Sequence, residues 1–166
     1  MRKNCHDAIS LRQAEPDDEA FLYLLYSSAR AEEMAAWGWD GAQREAFLSS
    51  QFRARQAHYR EYPNADHQII LAEGRPIGRI LVSQLKDEFL LVDIAILAEY
   101  RNAGIGATLI RQLLARATGA GKAVRLHVEK SNRARSLYHR LGFNIVGDAG
   151  MYYLMEYACE RLKTTS

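Results

Sequence analysis

Apolar residues recur along this chain in two rhythms, one of period two and one of about 3.6, and the switches between them mark out the elements. Residues 8–14 (AISLRQA) alternate as a first strand. Residues 16–34 follow with Pro16, Asp17 and Asp18, residue types that suit a helix start and its dipole. Phe21, Leu24, Leu25, Ser28 and Ala29 then share one helical face. Residues 37–41 (WGWDG) break the pattern, and 42–59 resume it with Phe47, Leu48, Phe52 and Tyr59 along an inner stripe.

The centre of the chain turns to strands. Residues 67–73 and 76–85 flank a turn at Gly74 and read as a hairpin. A second turn near Lys86 and Asp87 leads into residues 89–97 (FLLVDIAIL), apolar enough for a central strand buried on both faces. A helix over 104–118 turns Ile105, Leu109, Leu113, Leu114 and Ala117 inward, and residues 123–129 form the next strand. A short helix over 132–141 carries Ala134, Leu137, Tyr138 and Leu141 on one face, with Gly142 well suited to end it. Residues 143–147 and 151–157 close the chain as a hairpin. The order β-α-α-β-β-β-α-β-α-β-β predicts an α/β (α+β) fold, with a mixed, mostly antiparallel sheet of about seven strands flanked by about four helices.

The strongest chemical signal lies where the central strand meets the third helix. There the chain reads IAILAEYRNAGIGATLI, a strand running into Arg101-x-x-Gly104-x-Gly106 and then an amphipathic helix. Glycines let a ligand approach the backbone, and first-turn amides point at an anion with the helix dipole behind them. No Lys-Ser/Thr follows Gly106, which excludes a Walker A loop. A dinucleotide fingerprint wants glycine where Leu109 stands and normally opens a parallel domain near the N-terminus. The plainer alternative is that Gly104 and Gly106 only make a tight turn.

The motif has company. From about residue 8 to 157, and most densely from Leu91 to Gly147, the chain resembles the GCN5-related N-acetyltransferases. Their signature is Arg/Gln-x-x-Gly-x-Gly/Ala after the fourth strand, and HVEKSNRARSLYHRLGF is similar to their second conserved block. The resemblance implies an acyl-CoA N-acyltransferase fold and an enzyme using acetyl-CoA as donor. It implies main-chain bonds from Ile94, Ala95 and Ile96 to the pantetheine arm and acyl carbonyl. The pyrophosphate would sit on Arg101, Asn102, Ala103, Gly104, Ile105, Gly106 and Ala107. Asn132 would bond the pantetheine, and Tyr138 would lie beside the thioester sulfur as general acid. Relatives often dimerise, so a homodimer through the aromatic closing strand is a further expectation. Two departures stand out: Ala98 where many relatives have proline, and Asn132 two residues before Ala134 where three is the commoner spacing.

Transfer of an acyl group from a thioester to an amine needs few side chains. Main-chain N–H groups of the fourth strand would stabilise the developing oxyanion if that strand splays. Tyrosine titrates near ~10 and a thiol near ~8.5, so a neutral Tyr138 is able to bond or protonate a departing thiolate. Packing alone is the alternative role for this residue. Asp93 interrupts a buried apolar strand and is the candidate base, unless it serves as a structural partner for Arg79 or Arg125. Arg125, His127 and Glu129 share one face of the fifth strand, either bordering the acceptor site or forming an ion-paired surface. Glu32 and Glu33 are outside candidates for the base. Trp37, Trp39 and Tyr62 either line a specificity pocket or pack, and QFRARQAHYR reads as the wet face of the second helix.

Composition narrows the setting. With 166 residues, 18.8 kDa, 48% hydrophobic and 25% charged residues, a single domain over 1–166 with its core at about 8–157 is expected. A net charge of +2 argues against nucleic acid or an anionic membrane as partner. Cys5 and Cys159 make no disulfide framework, the first ten residues lack an apolar signal region, and no run reaches the ~18 apolar residues of a bilayer span. A cytoplasmic protein is the expectation. His6, His58, His67 and His139 lack metal-ligand spacing, so no metal is expected. Two functional classes remain: an acetyl-CoA-dependent N-acetyltransferase acting on a primary amine, or a non-catalytic acyl-CoA-binding module on the same fold.

Overall fold

The computed structural model describes residues 8–160. Its elements are β1 (Ile9–Gln13), α1 (Glu19–Ala35), α2 (Gly41–Tyr59), β2 (Ala65–Ala72), β3 (Arg75–Gln84) and β4 (Glu88–Ile96). They are followed by α3 (Ile105–Ala120), β5 (Ala123–Glu129), α4 (Ala134–Arg140), β6 (Asn144–Ala149) and β7 (Tyr152–Tyr157), with single 3-10 turns at Pro16–Asp18 and Ala98–Tyr100. The seven strands form one sheet in the order β1-β2-β3-β4-β5-β7-β6. Only β4 and β5 run parallel, and α3 is the crossover that joins them, as a parallel pair requires.

The helical periodicity of α3 does what its sequence foretells. Ile105, Leu109, Ile110, Leu113, Leu114 and Ala117 are all buried. They pack with Ile80, Val82, Leu91, Val124, Leu126 and Val128 into the main core. A smaller cluster of Leu22, Phe52 and Ile69 lies where α1 and α2 meet the sheet. The closing hairpin places β7 inside the sheet and leaves β6 at the edge, where Ile145 and Val146 are exposed.

One expectation for α1 is corrected. Leu24, assigned to the inner stripe, is 55% exposed, whereas Leu22 and Leu25 are buried. The helix is turned so that Asp18, Leu22 and Leu25 form one line inward. The cause is polar. Arg12 on β1 grips both oxygens of Asp18 at 2.8 and 2.7 Å, which draws the first turn onto the sheet and sets the rotation of the whole helix. Among the described residues, no helix is long and apolar enough to cross a membrane.

Candidate active site

The site begins with a strand that changes partners. β4 pairs with β5 only from Glu88↔Ala123 to Leu91↔Leu126, while its pairing with β3 continues to Ile96. Leu81 opposes Asp93 but its neighbour Val82 opposes Leu91, so Val92 is an extra residue, a bulge that bends the strand. Beyond it β4 leaves β5 and a gap opens. The Leu97 N–H donates to the Ile77 carbonyl at 2.8 Å. Alternation along an antiparallel ladder therefore turns the peptide groups of Ala95 toward β3 and those of Ile94 and Ile96 into the gap. Gly78 makes this approach possible, because a Cβ there would collide with the Ala95 carbonyl oxygen.

At the end of β4 the chain makes a 3-10 turn, and Arg101 folds back so that its Nε donates to the Ile96 carbonyl at 2.8 Å. Asn102 and Gly104 both adopt positive φ, 60° and 80°, and α3 starts with no side chain capping it. The Thr108 N–H is the first to bond within the helix, to the Gly104 carbonyl at 3.0 Å. The amides of Ile105, Gly106 and Ala107 thus have no intrahelical acceptor and point outward with the positive end of the dipole. A Cβ on Gly106 would meet only Ile96 Cδ1, at 3.7 Å. Nothing inside the fold requires glycine there, and its bare backbone leaves room for a ligand outside. These residues fit the pyrophosphate of a coenzyme A thioester.

Tyr138 is buried in the main core, 5.8 Å from Phe143 in an edge-to-face contact, and Ile94 and Ile96 pack against the same cluster. Burial first, and the Asp93 charge second, push its hydroxyl up to about 12. It is therefore firmly neutral. Asn132 is exposed, and its Oδ1 accepts the Ala134 N–H at 2.9 Å, so it also starts α4.

Asp93 pairs with Arg79 and not with Arg125. Nε and Nη2 of Arg79 both donate to Oδ2, at 2.8 and 2.6 Å, and the Tyr59 hydroxyl donates to the same oxygen at 3.2 Å. Oδ1 accepts no hydrogen bond among the described residues. Burial, then the Asp93 charge, raise the Tyr59 hydroxyl above its ordinary range. Asp93 and Ala95 open on a cavity of about 170 Å³ between α1, α2 and the sheet, whose other walls include Leu25, Tyr26, Phe52 and Gln56.

Arg125 instead bonds Glu156 at 2.6 Å and Glu88 at 3.0 Å, so the polar face of β5 is ion-paired and away from this cavity. Trp37 and Trp39 pack edge-to-face with each other and with Phe47, at 5.2–5.8 Å, and Tyr62 packs on His58 at 5.3 Å; none of them lines the cavity. Glu33 is exposed on α1, while Cys5, His6 and the side chain of Glu32 lie outside the described residues. The sequence pattern places Phe52 and Tyr59 on the inner stripe of α2 and reads the rest of 51–60 as its wet face. Phe52 does line the cavity and Tyr59 does reach Asp93, but the structure corrects the rest: Arg55 and Gln56 line the cavity too. Their signal is the i, i+3, i+4, i+7 spacing of 52, 55, 56 and 59, obscured by an arginine and a glutamine in an apolar register.

Comparison with known proteins places this geometry. Residues 25–143 match the model of the acetyltransferase (GNAT) family. The [ribosomal protein bS18]-alanine N-acetyltransferase of Haemophilus influenzae is 34% identical over 85 residues, which is 51% of this chain and 58% of that protein's own length. The PaiA N-acetyltransferase of Thermoplasma acidophilum, solved in complex with coenzyme A, superposes with a TM-score of 0.70 at 18% identity, covering 91% of this chain and 99% of its own. The ribosomal-protein-S18-alanine N-acetyltransferase of Escherichia coli gives 0.63 at 20% identity, over 91% and 94%. With the family model covering most of its length, the chain belongs to the acetyltransferase (GNAT) family.

Proposed function

We propose that this chain is an N-acetyltransferase that moves an acetyl group from acetyl-CoA to a primary amine, of a small molecule or a protein, by direct attack while both are bound. The observation that carries it is the bend of β4, which turns the Ile94 peptide groups and the Ile96 N–H into a gap beside an uncapped helix start, with a cavity lined by Asp93 across the strand. The name of the Haemophilus relative, an alanine N-acetyltransferase, is in keeping with an amine acceptor.

Acetyl-CoA supplies the thioester carbon, at which a C–N bond forms as the C–S bond breaks. The amides of Ile105, Gly106 and Ala107, with Arg101, Asn102, Ala103 and Gly104, seat the pyrophosphate. Ile94 and Ile96 supply the peptide groups that hold the pantetheine arm and the carbonyl oxygen as charge develops on it, Ala95 sets their register, and Asn132 borders the arm. The amine must lose one proton, and Asp93, on the cavity wall, would receive it. The sulfur departs as a thiolate and takes up its proton from water afterwards. With its hydroxyl near 12, well above a thiol's ~8.5, Tyr138 acts first by donating a hydrogen bond to the thiolate rather than by surrendering its proton outright.

Calorimetry and CoA release over an amine panel test this. Acetyl-CoA is expected to bind in the micromolar range, about −8 kcal/mol, and Gly104→Asp to weaken it at least ~10-fold by putting a side chain and a negative charge in the phosphate seat. Unchanged affinity in that variant removes the loop from the site. Tight binding without CoA release on any amine leaves the non-catalytic acyl-CoA-binding module standing instead.

A further inference from the structure

The charges around the cavity do not balance. Its lining carries three guanidinium groups, Arg30, Arg55 and Arg79, against one carboxylate, Asp93. Arg79 is committed to Asp93 at 2.6 Å. Arg30 bonds no acid within the cavity, and Arg55 reaches Asp93 only through the Tyr59 hydroxyl. Both lie over the same ring, that of Tyr26, each with its guanidinium carbon 5.7 Å from the centroid. Arg30 Nη1 donates to the Tyr26 hydroxyl at 3.0 Å and Arg55 Nε to the Tyr59 hydroxyl at 2.5 Å, and these neutral acceptors cancel no charge. Arg30 Nε is buried with no hydrogen-bond partner among the described residues. Its ion pair with the exposed Glu33 is stretched to 4.0 Å, where a solvated pair contributes little. Two like charges gathered on one aromatic ring, one of them with an idle buried donor, are an arrangement that an anion would complete.

We infer that this cavity is the acceptor subsite and that the acceptor is an amine bearing a carboxylate, its carboxylate held by Arg30 and Arg55 and its amine turned to Asp93. The inference rests on the acetyl transfer proposed above and names its substrate class. A guanidinium's planar fork matches the oxygens of a carboxylate and of a phosphate alike; the carboxylate is the smaller anion, which the volume of the cavity favours. The cavity of about 170 Å³ is close to the ~150 Å³ that accepts benzene elsewhere, so it suits a molecule of amino-acid bulk. Leu22, Leu25 and Phe52 also line it and would cover the methylenes of such a molecule. Arg30 and Arg55 repel a plain diamine, and Asp93 gives a dicarboxylate no partner for its second anion.

The test is kcat/KM for glycine, β-alanine and 4-aminobutyrate against their amides, with 2-aminoethylphosphonate as a second anion. The best acid is expected to exceed its amide at least ~10-fold, through KM, the size of effect a charged hydrogen bond gives. In Arg30→Gln and Arg55→Gln that ratio should fall toward one, at unchanged melting temperature and acetyl-CoA affinity. Amides acetylated as well as acids overturn the inference while acetyl transfer stands, and so does a ratio unmoved in both variants. A phosphonate preferred over every acid overturns the assignment to carboxylate. If no amine is turned over, acetyl transfer itself fails. Calorimetric titration of 4-aminobutyrate and its amide into the acetyl-CoA-loaded protein then decides the subsite, where equal affinities overturn it.

Discussion

Two guanidinium–carboxylate pairs are drawn inward in this protein, and they are built differently. Between Arg12 and Asp18 each carboxylate oxygen has its own nitrogen, at 2.7 and 2.8 Å, and Oδ2 also accepts the Glu15 N–H at 2.8 Å. Between Arg79 and Asp93 both nitrogens and a tyrosine converge on Oδ2, while Oδ1 accepts no hydrogen bond among the described residues and the side chain lines a cavity. The first pair is saturated and fixes the rotation of a helix. The second spends half of its carboxylate on the fold and keeps half for something else. A half-buried carboxylate with an unused acceptor can be completed by a ligand or by water, and residues of this kind collect at sites of chemistry.

Removing each carboxylate in turn tests whether the two pairs differ in kind. Asp93→Asn should lower kcat/KM by about 10²–10⁴-fold, the range of a general base, with acetyl-CoA affinity retained. It should also cost roughly 3–5 kcal/mol, since the Arg79 side chain is left buried without its partner. Denaturant unfolding separates the two effects. A turnover loss no larger than the loss of folded protein would show that the second pair is as structural as the first.

Tyr138→Phe probes the other side of the gap. The ring and its packing on Phe143 remain and only the donor goes, so kcat should fall ~10²-fold while melting temperature and acetyl-CoA affinity hold. A thioester with a more acidic leaving group should show a smaller defect, because a stabler thiolate depends less on the donated bond. Wild-type turnover in the Phe variant, measured where chemistry limits the rate, removes the hydroxyl from the mechanism.

The smallest effect belongs to the saturated pair. Asp18→Asn should leave turnover unchanged and reduce stability by about 1–3 kcal/mol, the loss of a charged hydrogen bond. The hydrogen bonds from Arg12 hold the Asp18 carboxyl down at about 2, below its ordinary 3.8. Between those values the folded protein binds fewer protons than the unfolded chain. Its stabilisation is therefore complete above about pH 4 and is lost as pH falls through 2. Denaturant midpoints across that window should drop steeply in the wild type and less so in Asp18→Asn. Parallel acid limbs in the two proteins would dissociate the pair from acid stability.

Legibility tracks the range of the interaction. The seven strands and four helices are readable because apolar period is a local property, and α3 shows it plainly, with every expected inner residue buried. The Arg101–Gly106 turn is readable for the same reason: a strand, a glycine pair and a helix start lie within a few consecutive residues. Leu24 misleads because a contact between Arg12 and Asp18, not the helix's own pattern, chooses the buried line. Arg55 and Gln56 mislead because polar residues in an apolar register look like a wet face until a charged strand appears opposite them.

The order of elements, the fold class and the loop that opens α3 are thus written in the sequence alone, since each depends on neighbours within a turn or a strand. Three other features are settled by tertiary contact: β4 parts from β5 after Leu91, Asp93 pairs with Arg79 rather than Arg125, and Arg30 and Arg55 meet over Tyr26. Each depends on how separate elements come together and not on the period of any one of them. Electrostatic pairing is long-ranged and indifferent to periodicity, so the partner of a charge is fixed by which surfaces the core brings together.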